Sequence, residues 1–419
     1  MENTLEKVIL VGCQTKENDF QFENSLVELQ NLTKTANGTV VATLSQKRDR
    51  INPSTYIGKG KIEELKTLVE ELEPNTIIFN DELTPSQVRN IAAAVDVKII
   101  DRTQLILDIF ASRARSREGK LQVALAQLQY LLPRLQGQGT QLSRLGGGIG
   151  TRGPGETKLE SDRRHIRDSI TDLKQQLQVI AQHRTRYRER RKKNRAFQIA
   201  IVGYTNAGKS TLFNRLSDGN SYEENQLFAT LDPLTKKITL PSGFQVLITD
   251  TVGFIQDLPT TLVAAFRSTL EEAIDADLIL HVVDCSNPDY NQHEQTVNKL
   301  LKELTVDTID QVVCYNKKDL ESPNFIPNSH EHMIKISAFD SNDQLELKKL
   351  LEQVIISQML PYEVTLNSDQ GKELAQLQNE TIITHFNFNE IVQNYYLKGF
   401  YLPDHKVAKI VEPTTTSED

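Results

Sequence analysis

From residue 8 to residue 101 the chain alternates between two rhythms of apolar and polar positions. Short apolar runs, VILVG (8–12), TVVATL (39–44), TIIFND (76–81) and VKIID (97–101), read as strands. Between them, FENSLVELQNL (22–32), KIEELKTLVEEL (61–72) and TPSQVRNIAAA (84–94) repeat their apolar residues at helical spacing, and Thr84 followed by Pro85 marks a helix start. This alternation predicts a small parallel sheet flanked by helices. YIGKGK (56–61) could cradle a phosphate at a helix start, although such a stretch is more often only a turn.

Residues 102–195 follow a different period. Leu121, Leu125, Leu128, Leu132 and Leu135 are spaced 4-3-4-3, and Ile166, Ile170, Leu173, Leu177 and Ile180 repeat that spacing further on. Both are heptad seams, each too narrow to bury a helix in a globular core by itself, so the two arms are predicted to pair as an antiparallel hairpin. Pro133 should end or kink the first arm and leave Leu135 outside it. A continuous helix over 158–195 would reach roughly 57 Å at 1.5 Å per residue. The joining segment, 137–155, holds eight of the 20 glycines, with Arg144, Arg152 and Lys158 in or beside it. Glycine at that density resists helix and strand. The prediction is a long arm with a flexible, positively charged tip.

After that arm, residues 197–360 return to strand–helix alternation, and the segments beyond Pro361 suggest a small appended α/β module. The predicted organisation is an N-terminal α/β domain (1–101), a basic helical hairpin (102–195), a second α/β domain (196–360) and a C-terminal module with its tail (361–419).

Charge sharpens the picture of the arm. Residues 102–195 carry 21 Lys and Arg against 8 Asp and Glu, in a chain whose formal net charge is −8. A segment with a surplus of 13 positive charges inside an acidic protein points to a polyanion as partner. No run of 18 or more apolar residues offers a membrane span, and the N-terminus lacks the pattern of a signal peptide. Cys13, Cys285 and Cys314 make neither a disulfide framework nor zinc spacing. A cytoplasmic protein with no integral membrane part is expected, and a monomer.

The chemistry lies in 196–360. FQIAIVGYTNAGKSTLFNRL (197–216) places GxxxxGKS directly after an apolar run and before a helical pattern, the context a phosphate-binding loop requires. The loop residues are Gly203, Tyr204, Thr205, Asn206, Ala207, Gly208, Lys209, Ser210 and Thr211. Gly203 and Gly208 let backbone N–H groups wrap the phosphates, Lys209 should reach the β and γ phosphates, and Ser210 should hold Mg²⁺. FQVLITDTVG (244–253) ends a strand in Asp250, Thr251, Val252 and Gly253; Asp250 should act in the Mg²⁺ shell and the Gly253 N–H should sense the γ phosphate. QVVCYNKKD (311–319) ends in Asn316, Lys317, Lys318 and Asp319. There Asp319 can accept two hydrogen bonds from a guanine edge and Asn316 can bond its Hoogsteen side; adenine lacks the matching donors, which would leave a buried Asp319 partly unpaired. In KISAF (335–339), the backbone of Ser337 and Ala338, followed by Phe339, could meet the guanine carbonyl. Four motifs in this order, each at a strand end, identify a GTP-binding domain. FATLDPLT (228–235) supplies the further nucleotide-site candidates Phe228, Ala229, Thr230, Leu231 and Asp232, and both Thr230 and Thr235 are candidates for the threonine that closes on Mg²⁺. Phe254 stands after DTVG where many GTPases carry a glutamine that orients water. Asn206 matches the loop asparagine that ligates K⁺ in cation-dependent GTPases; its amide could equally brace the loop.

The ordered set GGGIGTRGPGETKLESDRR (146–164), GYTNAGKS, FATLDP, DTVGF, NKKD and SAF, behind an N-terminal α/β domain and a heptad hairpin, resembles the bacterial HflX GTPases over nearly the whole chain. The resemblance implies a GTP-hydrolysing factor that binds the large ribosomal subunit and splits stalled or idle ribosomes under stress. It implies that the arm tip approaches the peptidyl-transferase region, and that Thr230 is the switch threonine, placing it with Ser210 at the metal and with Lys209 in catalysis. The family pattern also allows a second, ATP-related activity in the N-terminal half. A glycine-rich tip can thread an rRNA cavity, where Arg144, Arg152, Lys158, Arg163 and Arg164 could contact phosphates. Two other readings compete: a GTP-regulated rRNA-binding scaffold or assembly factor with incidental hydrolysis, and a GTPase acting on tRNA modification or membranes. The absence of a membrane segment and of a C-terminal catalytic cysteine argues against the last.

Overall fold

The computed structural model describes residues 6–135, 154–194, 196–217, 228, 232–255, 276–304, 306, 308–328, 330–403 and 405–411, with side chains between 154 and 194 limited to 160–183. The chain divides into two compact units, one built on Met1–Ala181 and the other on Gln182–Asn225, Asp232–Gln256 and Ser268–Asp419; Phe228 belongs to the first.

The first unit opens with the predicted alternation: β1 (Glu6–Gln14), α1 (Asp19–Thr35), β2 (Gly38–Lys47), α2 (Lys59–Leu72), β3 (Thr76–Phe79), α3 (Pro85–Ala92) and β4 (Lys98–Asp101). The four strands form a wholly parallel sheet in the order β2-β1-β3-β4. Ile9, Val11, Ile77 and Phe79 of its two central strands are fully buried against Leu65 of α2 and Ile91 of α3. Thr84 caps α3 as its position suggested: its hydroxyl accepts from the Gln87 N–H while the Gln87 side chain reaches back to the cap. YIGKGK runs through a bend into the first turn of α2. Tyr56 is buried with a left-handed φ of 67°, its hydroxyl donates to Asp81 and accepts from the Cys13 N–H, and Gly58 caps α2.

Helices α4 (Arg102–Arg113) and α5 (Arg117–Arg134) pack on each other. Here the narrow-seam expectation needs correction. Alongside Leu125, α5 buries Gln122, Val123, Ala126 and Tyr130, because it lies on an apolar α4 that buries Leu105, Ile106, Ile109 and Phe110. It is a core helix with a broad buried face. It ends at Arg134 with Leu135 as its cap, where Pro133 led us to expect the end. The Arg134 guanidinium stacks 3.4 Å over Tyr130 and pairs at 3.2 Å with buried Asp101 at the end of β4. By contrast α6 (Pro154–Asn194) is one continuous helix of 41 residues, about 60 Å long. Its predicted seam, Ile166, Ile170, Leu173, Leu177 and Ile180, is half-buried along its length. The glycine-rich segment lies outside the described residues.

The second unit contains β5 (Gln198–Gly203), α7 (Lys209–Leu216), β6 (Leu234–Thr239), β7 (Gln245–Asp250), β8 (Leu278–Asp284), α8 (Tyr290–Glu303), β9 (Gln311–Asn316), β10 (Met333–Lys335) and α9 (Ser341–Ser357). Its six strands run in the order β10-β9-β8-β5-β7-β6, all parallel except the edge pair β6–β7. Central strands β5, β8 and β9 are apolar and buried on both faces, as a sheet sandwiched between helices requires. The carboxyl ends of the parallel strands β5, β7, β9 and β10 lie on one edge, and the four motifs follow them there.

The C-terminal module consists of β11 (Leu360–Asn367), α10 (Gly371–Glu380), β12 (Ile382–Asn389), β13 (Asn394–Tyr401) and the short α11 (Ala408–Val411). Its antiparallel sheet, β11-β13-β12, sends Ile382 and Leu402 into the core of the six-stranded sheet. No helix among the described residues is long and apolar enough to cross a membrane.

Candidate functional site

The site begins where β5 stops. Gly203 has φ +152°, and a Cβ there would stand 2.2 Å from the Val282 carbonyl oxygen of β8, so no side chain fits. At the far end of the loop Gly208 has φ +91°, and its Cβ would meet Asn316 Nδ2 at 2.3 Å. Between them Asn206 is exposed with φ 62°, and its side chain makes no hydrogen bond among the described residues. Lys209 and Ser210 open α7, and Thr211 follows half-buried.

Two bonds set the polar centre. Lys209 Nζ donates to the Tyr204 carbonyl at 2.7 Å, and Ser210 Oγ donates to Asp250 Oδ2 at 2.7 Å. Burial pushes the Lys209 pKa down to about 8, with the Asp250 carboxylate pulling it back up. Asp250 is wholly buried at the end of β7, and Thr251 beside it donates to the Ile201 carbonyl at 2.7 Å. The Thr205 N–H donates to the Phe254 carbonyl at 2.7 Å and the Phe254 N–H to the Gly203 carbonyl at 3.1 Å, lacing DTVGF to the loop. Val252 and Phe254 are buried. A Cβ on Gly253 would stand 2.8 Å from Thr205 Cγ2 and 3.0 Å from Lys209 Nζ, which keeps that position small. The oxygens suit Mg²⁺, a hard cation: a serine hydroxyl held against a buried carboxylate. Among the described residues no cluster of three His, Cys, Asp or Glu could hold a metal, so such an ion would draw further oxygens from phosphate and water.

On the other side of the loop Asn316 acts as a bracket. Its Nδ2 donates to the Ala207 carbonyl at 2.9 Å, and its Oδ1 accepts from the Ala338 N–H at 3.0 Å. The second amide N–H remains for a base edge. Two expectations change here. The N–H groups of Ser337 and Ala338, expected to meet a guanine carbonyl, are engaged with Asp343 Oδ2 (2.8 Å) and Asn316 Oδ1. Asp319, expected to be buried, is exposed, because the chain leaves the sheet through left-handed Lys317 and a single 3₁₀ turn. Lys317 pairs with Asp284 at 2.6 Å and Lys318 with Asp343 at 3.1 Å. Phe339 is exposed, with the Arg215 guanidinium 5.3 Å from its ring.

Phe228, expected among the nucleotide-site residues, is instead buried, with its ring edge-on to Phe110 of α4 at 4.5 Å. Ala229, Thr230 and Leu231 lie outside the described residues, while Asp232 is half-buried. Thr235 sits in β6 with its hydroxyl 2.9 Å from that of its cross-strand partner Thr249. Arg144 and Arg152 lie outside the described residues, as does the Lys158 side chain; on α6, Arg163 is half-buried and Arg164 exposed.

Three residues of the site escaped the motifs: Asp284, Asp343 and His293, the last stacked on Tyr204. Their roles depend on contacts across the fold, and only Asp343, in the first turn of a helix after SAF, left a local trace.

Comparison with known proteins gives three family matches: GTP-binding GTPase N-terminal over residues 23–111, GTP-binding GTPase Middle Region over 113–191, and 50S ribosome-binding GTPase over 198–317. A GTPase HflX from Alkalihalophilus pseudofirmus is 57% identical over 406 residues, 97% of this chain and 96% of that protein. A GTPase HflX from Escherichia coli is 40% identical over 316 residues, 75% of this chain and 74% of that one. A solved GTP-binding protein from Sulfolobus solfataricus, in complex with GDP, is 25% identical with a TM-score of 0.44, covering 83% of this chain and 98% of its own.

Proposed function

This chain belongs to the HflX family of GTPases, and on that premise we propose that its GTP cycle governs attachment to the large ribosomal subunit and the splitting of stalled or idle ribosomes. It binds and hydrolyses GTP. The observation that carries the nucleotide assignment is the Ser210–Asp250 bond beside Lys209, at the end of a loop whose two glycines admit no side chain. In this reading the backbone from Gly203 to Thr211 wraps the phosphates and Lys209 reaches the β and γ groups. Ser210 and Thr230 hold Mg²⁺, with Asp250 orienting the Ser210 hydroxyl. When bound, the ion neutralises charge on the phosphate oxygens. Guanine falls to Asp319 and the spare N–H of Asn316. The ribosomal half rests on the basic surplus of 102–195 and on the resemblance of residues 198–317 to a ribosome-binding GTPase family. The domain division at 101, 195 and 360 and a cytoplasmic location belong to the same proposal.

Hydrolysis raises a specific question, because Phe254 is buried and apolar and can neither orient nor deprotonate water. That observation also favours the second reading, a GTP-regulated rRNA scaffold in which hydrolysis is incidental. We expect slow turnover by the isolated protein and at least tenfold acceleration by large subunits. Asn206 is assigned to take K⁺, whose charge would offset that developing on the phosphates; its exposed side chain makes no hydrogen bond among the described residues. GTP turnover measured at equal ionic strength in KCl and NaCl, with and without subunits, tests both ideas. No acceleration by subunits would favour the scaffold. Equal rates in the two salts, or an Asn206→Ala variant that keeps its potassium response, would remove the cation.

A further inference from the structure

Tyr204 is where the chain turns out of β5 into the phosphate loop, and several of its parts are engaged at once. Its carbonyl holds Lys209 Nζ at 2.7 Å. Its backbone bridges to Phe254, with a hydrogen bond on either side. Its ring is buried and lies flat on the imidazole of His293 in α8, the centroids 3.7 Å apart and the planes within 6° of parallel. Burial pushes the His293 pKa down to about 4, against the pull of the Asp284 carboxylate, so the imidazole stacks as a neutral ring near pH 7.

The backbone of Tyr204 is thus fixed from the switch side by Phe254, while its ring is fixed from the helix side by His293. The ring hangs from the same Cα that bears the carbonyl, so holding the ring against His293 restrains that Cα and, with it, the carbonyl to which the Lys209 ammonium group is hydrogen-bonded. We propose that His293 is a positioning residue for nucleotide binding: by clamping the Tyr204 ring it sets the Tyr204 carbonyl, and through that carbonyl the place of Lys209. This deepens the assignment of 203–211 as the phosphate loop and rests on it. Because Lys209 is assigned to the β and γ phosphates, misplacing it should cost GTP more than GDP. A parallel aromatic pair is worth about a three- to tenfold change in an equilibrium constant beyond the area it buries.

The test compares His293→Leu, which supplies a side chain of similar size but no ring, with His293→Phe, which keeps a ring. Affinities for GDP and for a non-hydrolysable GTP analogue are measured in the full chain. We expect His293→Leu to weaken analogue binding about three- to tenfold and GDP binding less than twofold, and His293→Phe to stay within twofold of the parent for both. In a Tyr204→Leu background, His293→Leu should cost nothing more, since the two rings act as one unit. Parent-like analogue binding by His293→Leu, equal losses in the Leu and Phe variants, or additive losses with Tyr204→Leu would each overturn the inference. Lys209→Ala separates the two levels. If it binds the analogue as the parent does, the phosphate-loop assignment has failed; if it loses binding while His293→Leu does not, only the role of His293 has.

Discussion

Asp319→Asn is expected to turn a site that reads guanine into one that reads xanthine. The carboxylate is assigned to accept from the ring N–H and the exocyclic amine of guanine, two hydrogen bonds to a charged acceptor. Asparagine replaces one of those oxygens with a donor, which then faces the guanine amine donor to donor. Xanthine carries a carbonyl where guanine has that amine, and the new N–H can be satisfied there. Losing hydrogen bonds to a charged group costs about 1.5–3 kcal/mol each, so GTP affinity should fall about a hundredfold while xanthosine triphosphate affinity rises. The change should leave the fold intact, because Asp319 is exposed and makes no hydrogen bond among the described residues. The desolvation that makes the discrimination strong must therefore come from the base as it covers the carboxylate. Titration of both nucleotides against parent and variant decides it; unchanged GTP binding would remove Asp319 from the base site.

The second large effect is expected in subunit binding, with nucleotide binding unchanged. Neutralising Arg144, Arg152, Lys158, Arg163 and Arg164 together should lower affinity for the large subunit by more than tenfold at moderate salt. It should also flatten the salt dependence, since each lost phosphate contact removes about 0.7–0.9 from the slope of log K against log salt. GTP affinity should not move, because none of the five belongs to the loop or its brackets. The physical basis is the surplus of basic residues in 102–195, which includes a 41-residue helix about 60 Å long. If binding weakens without a change in slope, these residues do not meet phosphates, and the glycine-rich segment is a linker between two helices.

What the sequence made legible was local. GxxxxGKS, DTVG and NKKD could be placed because each follows an apolar strand and needs only its own backbone to be understood. Thr84 and Pro133 worked for the same reason: a cap and a helix terminator act within one turn. The misreadings came where distant parts of the chain meet. The 4-3-4-3 spacing of α5 suggested a bare seam, yet Gln122, Val123 and Ala126 are also buried because α4 covers them. Phe228 sits in a motif associated with nucleotide, and its ring is packed on Phe110, more than a hundred residues earlier. Asn316, assigned to the base, also joins Ala207 to Ala338, a bracket that no motif spells out. Tyr204 and His293 meet through a contact between a loop and a helix that no motif encodes.

The central claim is that the GTP-bound protein holds the large ribosomal subunit. Co-sedimentation of the full chain with purified large subunits, in a non-hydrolysable GTP analogue and in GDP, tests it most directly. The account predicts that the protein pellets with the subunits in the analogue and remains largely in the supernatant in GDP. Equal recovery in the two nucleotides, or none in either, would contradict it.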